Sequence, residues 1–151
     1  MTSQFEVLAS SIFYIGPLRE EPAVLYSGVF ERPQDVGTAG EDAAAVLWVG
    51  RGEKKQRELR RKVESWMNKF EMAKNIQFKK LGPFFQIWVT DWYTNVKSNL
   101  TDVGFGSSQL FSVIVEGYYA PEKSLIIAEQ PEIHLHPKAQ DCPAPIKCTT
   151  C

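Results

Sequence analysis

The amino-acid sequence predicts an α/β domain in which a buried parallel strand stands beside a helical insert. Three observations carry this. Residues from Glu53 to about Ala73 repeat their apolar positions at helical spacing. Leu125–Ala128 is a short, wholly apolar run of the kind covered on both faces of a parallel sheet. Between them, a glycine-rich turn leads directly into another helical pattern, the order in which strands and helices alternate in α/β folds.

The chain has 151 residues, enough for one domain with a sizeable core. A composition of 44% hydrophobic, 23% charged and 12% aromatic residues excludes long disorder, collagen-like repeats and a coiled-coil rod. Seventeen Lys and Arg against eighteen Asp and Glu leave a net charge of -1, so polyanion binding could come only from local clusters. No apolar run approaches the ~20 residues of a membrane helix. Met1–Glu6 offers neither a basic nor an apolar leader region. The expectation is a soluble, cytoplasmic protein without a membrane partner.

Along the chain, residues 4–15 read as strand, with Phe5, Val7, Leu8 and then Ile12, Phe13, Tyr14 and Ile15. Gly16, Pro17 and Pro22 force a loop, and residues 31–40 form another. The alanine-rich stretch Glu41–Val49 predicts a short helix that Gly50-Arg51-Gly52 ends. In the long helix, Leu59, Val63, Trp66, Met67 and Phe70 share one face. Its other side carries Lys54, Lys55, Arg57, Arg60, Arg61 and Lys62, diluted by Glu53, Glu58 and Glu64. Such a run is either a solvated face or a nucleic-acid contact.

Residues 76–92 change to strand character around the turn Leu81-Gly82-Pro83, and Val96–Leu100 suggests a further short strand. Ser107–Tyr119 reads as a helix burying Leu110, Phe111, Ile114 and Tyr118. There is no internal repeat.

The three cysteines, Cys142, Cys148 and Cys151, crowd into the last ten residues. Their odd number argues against a disulfide framework. With His134 and His136 they invite a zinc reading, but only Cys148 and Cys151 are spaced as a knuckle. A loose tail over residues 141–151, following a domain over 1–140, is the expectation.

Two blocks about twenty residues apart carry chemistry. In Thr101-Asp102-Val103-Gly104-Phe105-Gly106-Ser107-Ser108-Gln109, glycines let backbone N–H groups approach an anion, and the following helix adds its positive end. The plain alternative is a turn capped by Ser107 or Ser108. The second block is Leu125-Ile126-Ile127-Ala128-Glu129-Gln130-Pro131-Glu132-Ile133-His134-Leu135-His136-Pro137. Carboxylates at the C-terminal end of a parallel strand stand where α/β folds place ligands, and they suit Mg²⁺. The alternative is an exposed acidic loop.

Together these blocks resemble the C-terminal half of ABC-type AAA ATPases of the SMC/RecF/OLD-like group. Tyr14–Pro22 and Val36–Asp42 also resemble that group's middle region, so the likeness spans roughly residues 12–140. The resemblance implies a partial P-loop NTPase fold with ATP and Mg²⁺ as cofactors. It assigns Gly104, Gly106, Ser107, Ser108 and Gln109 to the signature motif, which contacts the γ-phosphate of ATP held by the other protomer. It makes Leu125–Ala128 the Walker B strand, Glu129 the Mg²⁺-side acid and His134-Leu135-His136-Pro137 the D-loop. Many relatives read Asp-Glu-Pro-Glu where this chain reads Glu129-Gln130-Pro131-Glu132. Gln130 therefore stands at the general-base position, where it can orient water but is a poor base, and the base role shifts to Glu132 if there is hydrolysis.

No Gly-x-x-x-x-Gly-Lys-[Ser/Thr] occurs in the sequence, so nothing cradles the α/β-phosphates in cis. A truncated or frame-shifted reading frame would explain both this gap and the tail. The leading expectation is thus a fragment or partial subunit of an ABC-type ATPase, inactive alone and completed by a homodimer or a partner ATPase chain. Coupling to DNA or to an effector nuclease is implied by resemblance only. The alternative is a non-enzymatic nucleic-acid-binding module built on the basic helix over residues 53–74.

Overall fold

The computed structural model describes residues 12–29, 31–50 and 52–131. They form a mixed α/β structure with two small sheets around three helices. Strand β1 (Ile12–Ile15) leads through a loop to the two-residue β2 (Tyr26–Ser27), and helix α1 spans Ala43–Trp48. Helix α2 (Lys54–Lys69) runs into the hairpin β3 (Ala73–Leu81) and β4 (Phe84–Asp91). After β5 (Lys97–Asn99) and a 3₁₀ turn (Leu100–Asp102) come helix α3 (Phe105–Tyr119) and strand β6 (Leu125–Ala128).

β1 and β6 pair in parallel, with Ile12 opposite Leu125 and Ile15 opposite Ala128. The other sheet is antiparallel: β2 and β3 flank β4, and β5 also pairs with β4. The tight β3–β4 connection works because Gly82 adopts φ +59, a left-handed conformation at the first loop position, and Pro83 follows it.

Every residue of α1 is buried, as an all-apolar helix requires. Trp48 stacks on Phe85 of β4 with ring centroids 4.1 Å apart and planes 2° from parallel, pinning α1 to the antiparallel sheet. α2 buries Leu59, Val63 and Met67, the helical stripe legible in the sequence. α3 packs against α1, α2 and β6, and is buried far beyond one face: Val113, Val115, Ser112 and Glu116 are enclosed with Leu110, Phe111 and Ile114.

Several boundaries differ from the sequence reading for identifiable reasons. α2 stops at Lys69 rather than near Ala73. Glu71 turns left-handed at φ +56, while Met72 N donates to Met67 O and Glu71 N to Asn68 O, a Schellman ending. β3 consequently starts at Ala73, through Lys74 and Asn75, which carry no apolar signal. Leu100, expected in a strand, begins the 3₁₀ turn, which Asn99 caps by accepting from Thr101 N at 3.2 Å. α3 starts at Phe105 with Gly104 at its N-cap, so neither Ser107 nor Ser108 caps it.

The largest correction concerns β6. It pairs in parallel as expected, yet it is not buried on both faces. Leu125 is 55% and Ile127 44% exposed, beside Ile12 at 47% and Tyr14 at 43% on β1. The register places these four on one face, and no element among the described residues covers it. The N-terminal part of the strand expected from residue 4, the acid Glu132, the histidines and the cysteine tail lie outside the described residues.

Candidate functional site

The C-terminal ends of β1 and β6 meet at one point, and the ladder extends one bond further, from Glu129 N to Ile15 O at 3.0 Å. Glu129 is thereby fixed at the tip of the parallel pair, with its side chain exposed. Tyr14 Oη donates to Glu129 Oε1 at 2.7 Å. That bond to the carboxylate raises the Tyr14 hydroxyl above its ordinary pKa, so the phenol stays protonated and holds Glu129 in place.

Beyond β1 the chain turns through Gly16 and Pro17 to Arg19, which is buried. Arg19 Nη2 donates to the Glu129 carbonyl at 2.6 Å. Its own backbone is clasped by Gln109 on α3: Arg19 N donates to Gln109 Oε1 at 3.3 Å, and Gln109 Nε2 donates to Arg19 O at 3.2 Å. Two segments of the sequence, the α3 motif and the β6 motif, are therefore tied to one residue. Tyr14 and Arg19 were not singled out as site residues from the sequence. Their place in Tyr14-Ile15-Gly16-Pro17-Leu18-Arg19 was the available signal.

The proposed phosphate-facing residues separate by environment. Gly104 is exposed, with φ -50 and ψ 145, and a Cβ built on it would meet nothing within 4 Å. The fold makes no demand for glycine there, and the space in front of the helix start is open. The N-cap residue Gly104 has no side chain to cap α3, which leaves the helix start open to an anion on that side. Gly106, Ser108 and Gln109 are buried. Ser108 lines a 130 Å³ cavity walled partly by Glu20, Glu21 and Glu41. Those carboxylates make that side of the helix repel phosphate, and Gln109 is spent on Arg19. The open N-terminus at Gly104 is the part suited to an anion.

Gln130 follows Glu129 in a left-handed conformation, φ +47, and is exposed. Among the described residues no three His, Cys, Asp or Glu side chains converge to hold a metal ion. An exposed carboxylate without two others beside it among the described residues is a poor cage for Mg²⁺, but it is a sufficient protein ligand where phosphate oxygens and water complete the octahedron. Glu129 fits Mg²⁺ only in that shared form.

The cations of α2 are largely occupied by the fold. Arg60 donates through Nε to Leu47 O at 2.7 Å and lies 4.3 Å from the Phe78 ring centroid. Arg57 donates to Gly52 O at 2.7 Å, and Lys62 lies 3.6 Å from Glu58. Among the described residues no helix is long and apolar enough to cross a membrane. No protein-family model, curated protein or solved structure matches the chain.

Proposed function

We propose that this chain contributes signature and Walker B elements to ATP binding at the dimer interface of an ABC-type AAA ATPase. The observation that carries the reading is the convergence at Arg19. It joins Gln109, from the glycine-rich start of α3, to Glu129, at the C-terminal end of a parallel strand. In this reading the N–H groups after Gly104 meet the γ-phosphate of ATP held by the other protomer, while the β6 end serves the nucleotide of its own chain. Glu129 faces Mg²⁺ shared with the phosphates, and Gln130 orients water. A P-loop from a segment outside these 151 residues, in cis or from a partner chain, holds the α/β-phosphates. The isolated chain then binds ATP weakly and does not turn it over.

The test is an NMR titration with Mg-ATP alongside an assay for phosphate release. Weak binding that moves the amides of Gly104–Ser108, without turnover, is expected. Gly104→Ala should weaken it while leaving the unfolding midpoint unchanged or raised, since the added methyl meets no protein atom. Micromolar affinity with turnover would show a complete site and sink the partial-subunit reading. Millimolar Mg-ATP without any shift in these amides would remove the signature assignment.

A further inference from the structure

The antiparallel sheet has an inner face, with Phe85, Ile87 and Val89 buried against the helices, and an outer face whose β3 and β4 residues stay exposed or half-exposed, while Asn99 of β5, opposite Trp88, is buried and donates to Val24 O. The register sets Trp88 at the middle of that outer face, opposite Gln77 on β3, with Gln86 opposite Lys79 and Thr90 opposite Lys97. Phe84, 43% exposed, ends the row. The ring of Trp88 is fixed in azimuth, because its Nε1 donates to Gln86 Oε1 at 3.0 Å. Lys79 Nζ stands 5.8 Å from the ring centroid, and Lys97 Nζ donates to Gln77 Oε1 at 2.9 Å.

The charge here is one-sided. The register puts Lys79 and Lys97 and no acid on this face, in a chain whose net charge is -1, while Lys80 stands opposite the inner-face Phe85. Asp91 does not offset the face, because its carboxylate is turned into its own loop. Oδ1 accepts from Thr94 N at 2.7 Å, Thr94 Oγ1 at 2.8 Å and Tyr93 N at 3.0 Å. These bonds hold its carboxyl below the usual range. The platform thus combines an oriented indole, side-chain amides able to read base edges, and lysines with no carboxylate among them.

We infer that the outer face of the β3–β4–β5 sheet binds single-stranded nucleic acid, with a base stacked on Trp88 and the backbone tracked by Lys79 and Lys97. A duplex hides the faces of its bases and offers Trp88 nothing to stack on, whereas any unpaired base does. The surface is distinct from the basic side of α2, where Arg57 and Arg60 already serve the fold. It does not depend on the ATPase reading.

The experiment is fluorescence anisotropy of a labelled oligothymidine of about 12 nucleotides, within the span of a small stacking platform. It is run at low and rising salt beside the matched duplex. Trp88→Ala is expected to weaken single-strand binding roughly 5- to 150-fold. Trp88→Phe, which keeps a π face, should recover part of it. Lys79→Ala with Lys97→Ala, both exposed and without a core role, should lower the salt slope by about 1.4 for two lost phosphate contacts. Arg57→Ala with Arg61→Ala should change neither quantity. The inference is overturned by no binding at low salt, by equal binding of the duplex, by full affinity in Trp88→Ala, or by a loss seen only in the α2 variant.

Discussion

Glu116 gives the most quantitative test of the packing. It lies on α3 with no exposed surface, and Oε2 accepts from Val36 N at 2.9 Å. Oε1 has no hydrogen-bond partner among the described residues. Burial pushes the carboxyl from its ordinary 4.5 up to about 7, with Asp35 adding to the rise and the Val36 bond opposing it. The native state therefore favours the protonated acid, and the unfolded chain releases the proton near 4.5. The sign follows. This group's stabilisation is fully present below about 4.5 and is lost as pH rises to about 7.

At 1.36 kcal/mol per pH unit, the loss is about 3 kcal/mol by neutral pH. That is a ceiling, because Glu116 borders a 230 Å³ cavity beside Ile12–Ile15, where a small rearrangement would rehydrate the ionised carboxylate. Glu116→Gln is nearly isosteric, keeps an acceptor for Val36 N and cannot ionise. Urea unfolding at pH 5, 6, 7 and 8 should show the parent losing stability relative to the variant across the series, with Glu116→Gln ahead by up to about 3 kcal/mol at pH 8. Comparing the two chains cancels Asp42 and Glu64, which burial also raises, and which titrate alike in both. Parallel pH profiles would refute a buried, uncompensated Glu116.

Gln109→Ala should cost roughly 2–4 kcal/mol in urea unfolding, because it strands the buried N–H and C=O of Arg19 together; a loss under 1 kcal/mol would mean that solvent replaces both bonds. Glu71→Gly should raise stability by about 1 kcal/mol by relieving a left-handed non-glycine residue, less the bond that Tyr93 Oη donates to its carboxylate; no gain in a thermal melt would show that the tyrosine bond outweighs the strain. The exposed face formed by Ile12, Tyr14, Leu125 and Ile127 should drive self-association in sedimentation. Leu125→Thr with Ile127→Thr should abolish it while changing stability by no more than about 1 kcal/mol; a parent chain monomeric at high concentration would contradict this.

What the sequence made legible was local. The stripe Leu59, Val63 and Met67, the Gly82-Pro83 turn and the apolar run of β6 each lie within a few residues, and each appears where its period or turn chemistry places it. The end of α2 was not legible, because the apolar stripe runs through its C-cap Phe70 and the left-handed turn that follows falls on Glu71, a residue with no turn signal. β2 is two residues long and carries no period. α3 looked one-sided because Ser112 and Glu116 are polar, and only the elements on its other side reveal that they are enclosed. Tyr14 and Arg19 act on partners more than ninety residues away, or ninety in the case of Gln109, so no window of sequence could join them.

The bond pattern at Arg19 also bears on how the two motif segments could act together. Its backbone is held on both sides by a side chain of α3, and its guanidinium holds the main chain of Glu129. A shift of the α3 start would pull Arg19, and Arg19 would pull the strand end, since buried groups with few alternative partners move together or pay for lost bonds. Glu129 is restrained again through Tyr14 on the neighbouring strand. Glu116 ties the same helix to Val36, in the segment where Thr38 O accepts from Gly16 N at the exit of β1. An anion engaging the open end at Gly104 would therefore meet a helix braced at its second turn by Gln109 and further along by Glu116. The strand tip would be held in register with both.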